Sequence, residues 1–108
     1  MRSDLRLTLA GAALALLLAG EVPARAADAA AGRVLAERLC ANCHVVAVDA
    51  TRGTTDAPTF PAIAARDGDI SGPWLAFRLL LPHPQMPQVS LNRTEAADLA
   101  AYFAALKR

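Results

Sequence analysis

The chain has 108 residues, of which 55% are hydrophobic, and its 11 basic and 10 acidic side chains leave a formal charge of +1. That apolar content excludes a disordered chain, while the length excludes a doubly wound nucleotide-binding sheet or a barrel enzyme. Near-neutral charge leaves no electrostatic footprint for nucleic acid or anionic lipid, and no uncharged run reaches the ~20 residues a membrane-spanning helix needs.

The first segment reads as an export leader. Arg2 and Arg6 precede an uncharged stretch from Leu7 to Gly20, and Ala24-Arg25-Ala26 then places small residues at the two positions a signal peptidase reads. Leu7 to Gly20 has no polar face, which argues against an amphipathic first helix. As a helix it rises only about 21 Å against a ~30 Å hydrocarbon core, which argues against an anchor. Residues 1–26 are thus expected to be a cleaved signal peptide and residues 27–108 one exported, soluble periplasmic domain. The leader carries Arg2, Arg6 and Arg25 against Asp4 and Glu21, so the remainder is formally neutral.

Four short helices follow, and no alternating strand pattern does, so the fold class is all-α. Asp28 caps a first helix running to about Asn42, with Gly32, Leu35 and Leu39 along one stripe. A loop spans Val45 to Asp56. Thr59 or Phe60 opens a second helix with Pro61 in its first turn, and Gly68 is placed to end it. Ser71 caps a third, running through Trp74, Phe77 and Leu80, which must stop before Pro82. Asn92 with Glu95 three residues on forms a capping-box start for the last, whose buried face is Leu99, Tyr102, Phe103 and Leu106.

Cys40-Ala41-Asn42-Cys43-His44 is the one strongly specific motif. C-x-x-C-H marks covalent attachment of a c-type haem. Thiols three residues apart share one side of a helical turn, where they can add to the two vinyl groups on one porphyrin edge, and His44 can then coordinate iron as the proximal ligand. A thioredoxin-like pair would need a βαβ setting, which is missing. A zinc site would need four ligands, with the second His in an unrelated Pro-rich segment. A disulfide across two residues would stabilise little and leave His44 unexplained.

Beyond the leader, Met86 is the one methionine and His83 the one histidine besides His44. Both lie in Pro82-His83-Pro84-Gln85-Met86-Pro87, where three prolines predict a stiff, extended segment. Rigidity suits a weak thioether donor, because little chain entropy remains to be lost. Met86 is favoured as the distal iron ligand, since His/Met ligation is the pattern of electron-carrying c-type haems. His83 stays as the alternative.

Together, the attachment motif, the Pro-x-Met-Pro-like element at Pro84 to Pro87 and the capped terminal helix resemble a small class I cytochrome c of bacteria, over about Ala27 to Leu106. The resemblance implies that the first and last helices cross closely at Gly32, eight residues before Cys40, with Leu99 and Tyr102 opposite. It also implies that a proline carbonyl, for which Pro58 is the candidate, accepts the Nδ1 proton of His44. Trp74 is either a haem-propionate donor or a core aromatic on a Trp74, Phe77, Leu81 stripe. Arg52, Arg66 and Arg78 are further candidates for the propionates. The family's lysine-rich haem edge has no counterpart, for Lys107 is the sole lysine.

These readings predict one covalently bound haem c, held by Cys40 and Cys43 with His44 and Met86 on iron, in a non-enzymatic carrier of single electrons. Donor and acceptor would be other periplasmic redox proteins. A haem subunit of a larger dehydrogenase or oxidase complex, and a ligand-binding or sensor haem protein, are the alternatives.

Overall fold

The computed structural model describes residues 25–54, 56–81 and 84–108. Residues 1–24 of the expected signal peptide (1–26) and the alternative ligand His83 lie outside the described residues. The all-α architecture expected from the sequence is what these residues adopt: α1 (Ala29–Leu39), α2 (Phe60–Arg66), α3 (Gly72–Arg78) and α4 (Arg93–Leu106).

Each helix is opened by a side chain that satisfies amides the helix itself leaves free. The Asp28 carboxylate accepts the N–H groups of Ala30 and Ala31, and the hydroxyls of Thr59 and Ser71 accept those of Ala62 and Trp74. At α4 the capping box is complete: Asn92 accepts the Glu95 amide at 2.9 Å, and the Glu95 carboxylate accepts the Asn92 amide at 3.0 Å. Such caps matter here because α2 and α3 have only 7 residues each, too few to persist without help. Gly68, just past α2, adopts φ +72°, the left-handed conformation that ends a helix.

Two helices are shorter than the sequence suggests. α1 stops at Leu39 rather than near Asn42, because the amides of Cys43 and His44 both turn back to the Cys40 carbonyl, at 3.2 and 2.9 Å, and close a separate turn. α3 stops at Arg78, after which Leu80 and Leu81 donate to Phe77 and Arg78 in the tighter three-residue pattern ahead of the proline at position 82.

α4 is the hub against which the other three pack. The crossing with α1 is close enough that a Cβ on Gly32 would lie 2.0 Å from the Asp98 carbonyl oxygen and 2.9 Å from the Tyr102 Cβ. Tyr102 is opposite Gly32 as the resemblance implies, but the nearest neighbour is the Asp98 backbone rather than Leu99. Val46, buried in the loop after His44, accepts the Tyr102 hydroxyl on its carbonyl at 2.5 Å, which ties that loop to α4.

The buried faces also depart from expectation. In α1 they are Gly32, Leu35 and Ala36, and Leu39 is exposed instead. In α3 the buried residue is Leu75, while Trp74 is 40% and Phe77 64% exposed, so the Trp74, Phe77, Leu81 stripe is not a core stripe. In α4 Leu106 is only half-buried, and the buried set includes Asp98. A common cause accounts for Leu39 and Trp74: both border a cavity that the protein side chains do not fill.

Candidate functional site

His44 is positioned from three directions. Its amide closes the turn on Cys40. Its Nδ1 lies 2.6 Å from the Pro58 carbonyl, the proline the sequence singles out. A carbonyl can only accept, so Nδ1 carries the proton and Nε2 keeps its lone pair for a metal. On its flank the imidazole meets Phe60, ring centroids 5.5 Å apart, and Phe60 in turn stacks on Phe103 of α4 at 4.5 Å.

The loop behind the motif folds tightly onto it. Thr54 gives the Cys43 carbonyl both its amide, at 2.9 Å, and its hydroxyl, at 3.3 Å. Gly53 adopts φ +129°, and a Cβ there would lie 2.8 Å from the Val45 amide nitrogen, so only glycine lets the loop approach.

These groups face one cavity of about 750 Å³, bordered by all three of the other predicted site residues, Cys40, Cys43 and Met86, as well as by His44. Its remaining walls include Leu39, Phe60, Ile63, Trp74, Leu75, Leu99 and Phe103. Met86 is half-buried. It follows Gln85, which adopts a left-handed φ of 64°, so the described part of the proline segment turns where an extended run is expected. The turn brings a thioether to a cavity wall.

Cys40 and Cys43 are not joined in a disulfide, which leaves both sulfurs for attachment. Burial pushes the Cys40 thiol up to about 11, so at neutral pH it stays protonated and is a poor attacking thiolate, unlike a dithiol exchange catalyst. Among the described residues no three His, Cys, Asp or Glu side chains gather as a metal cage. A cavity within the roughly 300–1,000 Å³ range of cofactor sites, apolar in its walls and offering one imidazole nitrogen, one thioether and two thiols, fits a covalently attached haem.

The arginines separate. Arg66 and Arg78 border the cavity, Arg66 with its guanidinium on Asp67 at 2.6 and 2.9 Å. Arg52 is turned away to the Asn42 side-chain oxygen at 3.0 Å and lines a different, smaller pocket. Trp74 lines the cavity and is not a core aromatic. The sequence reading passes over Gly53, Val46 and the Phe60–Phe103 stack. Val45-Val46, the apolar start of the loop, is the signal that could have revealed the buried Val46.

A helical shell around such a cavity defines a class, and the sequence places the chain in it: it belongs to the small monohaem class I c-type cytochromes. A relative that shows this is cytochrome c-552 of Bradyrhizobium diazoefficiens, 47% identical over 104 residues that span 95% of this chain and 99% of that protein. No family model and no solved structure matches the chain. Its cofactor is a covalently bound haem c, and it is an electron-transfer protein, not an enzyme.

Proposed function

We propose that this cytochrome carries single electrons between redox proteins of the periplasm, with residues 27–108 as the working domain. Cys40 and Cys43 form the two thioethers, His44 gives iron its proximal nitrogen, and Met86 gives the distal sulfur. The observation that supports this reading is the 2.6 Å contact of His44 Nδ1 with the Pro58 carbonyl, which leaves Nε2 free to donate to a metal at a cavity that Met86 also borders. When bound, haem c supplies a one-electron couple at its iron.

The chain's own residues set the conditions. The Pro58 carbonyl and the Phe60 ring fix the imidazole, so no side-chain freedom is lost when it binds. The apolar walls keep water and its reorganisation away from the charge that changes. No helix among the described residues is long and apolar enough to cross a membrane, in keeping with a carrier that docks and leaves.

An absorption spectrum and an intact mass on exported protein test the reading together. The expected result is a chain starting at Ala27 with one haem added, and loss of the methionine-to-iron absorption band in Met86→Ala. Colourless protein of bare polypeptide mass would sink it. A Met86→Ala spectrum unchanged from the parent would remove Met86 as the distal ligand.

A further inference from the structure

Asp98 is the one charged side chain that the described residues bury, at 4% exposure, and nothing in the electron-carrying site uses it. It sits where α1 crosses α4. Oδ1 accepts the Asp28 amide at 2.8 Å, and both carboxylate oxygens lie 3.2 Å from the Arg25 guanidinium. A buried carboxylate is costly unless a cation accompanies it. Yet the cation in place, Arg25, belongs to the Ala24-Arg25-Ala26 boundary and leaves with the leader.

Cleavage after Ala26 removes that guanidinium and frees an α-ammonium on Ala27. The new charge arises one peptide unit before the Asp28 amide that Asp98 already binds, and consecutive backbone nitrogens lie under about 4 Å apart. We propose that Asp98 is the receptor for the processed N-terminus: the Ala27 ammonium takes the place of Arg25 and pins the start of the mature chain to the α1–α4 crossing. The proposal rests on the leader reading above. It also answers an electrostatic need, because an ammonium just ahead of the Asp28 cap stands at the positive end of the α1 dipole and is unfavourable unless offset.

The other charges at this crossing are few. On α1 the Asp28 carboxylate is engaged by the Ala30 and Ala31 amides. Arg33 and Glu37 pair with each other, with Asp49 of the loop on the far side of Arg33. On α4 Glu95 closes the capping box, and burial raises Tyr102, a turn beyond Asp98, above its ordinary range.

The test uses mature holoprotein, Asp98→Asn, and a variant with Gly-Ser inserted between Ala26 and Ala27, which moves the ammonium but keeps Asp98. Intact mass fixes the first residue, and NMR titration follows its amine. The Ala27 amine is expected to titrate above the ordinary range of roughly 7.7–8.0, and to return to it in Asp98→Asn. A raised amine stabilises below its unfolded value and stops doing so as pH rises through its folded one. The melting temperature of the parent should therefore fall between pH 7 and pH 9.5, and both variants should lose that fall. A chain that starts elsewhere overturns the leader reading, and this proposal with it. A chain that starts at Ala27 with an ordinary amine, or with a pH profile parallel to Asp98→Asn, overturns the receptor assignment alone.

Discussion

Gly32→Ala probes the tightest approach in the fold. The added carbon would lie 2.0 Å from the Asp98 oxygen, 2.6 Å from the Asp98 carbonyl carbon and 2.9 Å from the Tyr102 Cβ. Comfortable contact begins near 3.5 Å, so α1 and α4 must part by about 1 Å or more. Overpacking of this kind costs about 1–3 kcal/mol, and the upper end applies because the two nearest atoms are backbone and cannot rotate away. Alanine returns up to ~1 kcal/mol of helix propensity, which leaves a net loss of about 2 kcal/mol. In a domain of this size that lowers the melting temperature by roughly 8–16 °C. Thermal unfolding of the holoprotein, followed by far-UV circular dichroism, measures the shift. An alanine variant at least as stable as the parent would refute the close crossing, since propensity alone would then account for the result.

Tyr102→Phe removes the donor to the Val46 carbonyl and leaves that oxygen buried and unpaired, so a loss of about 1–3 kcal/mol in guanidinium unfolding is expected. The Asp28 amide, and then a neighbouring cation, hold the Asp98 carboxyl below its ordinary range, so its charge stabilises the fold above pH ~3.9 and that stability drains away as pH falls further. Asp98→Asn should accordingly show a shallower loss of stability below pH 4 than the parent. Chain made without its attachment machinery, and therefore without haem, should lack the near-UV circular dichroism of fixed aromatic packing, because the cavity takes the centre that a small domain cannot do without. A native-like near-UV spectrum would count against that.

What the sequence exposed most plainly were the local signals. Asp28, Thr59, Ser71 and Asn92 are legible as caps because each acts within three residues of itself. Cys40, Cys43 and His44 are legible because their chemistry is written in their spacing. The buried faces were harder to read, since an apolar residue beside a cofactor cavity obeys the same periodicity as one in a protein core. Leu39 and Trp74 look like core side chains in the sequence and are cavity walls in the fold. Asp98 was hidden for the opposite reason. An acidic residue on an amphipathic helix reads as solvated, and the packing of α1 across α4, which brings the Asp28 amide from a distant part of the chain, makes it interior.

The row of rings from Phe103 through Phe60 to His44 also constrains the order of assembly. The imidazole emerges before the middle of the polypeptide, yet the side chain that backs its support is delivered almost last. A chain made from its N-terminus onward therefore presents its two thiols and its histidine for a long interval while they are still unsupported and open to whatever handles them. Rigidity comes only when the tail follows, so the same geometry that fixes the ligand in the finished protein leaves it accessible during manufacture.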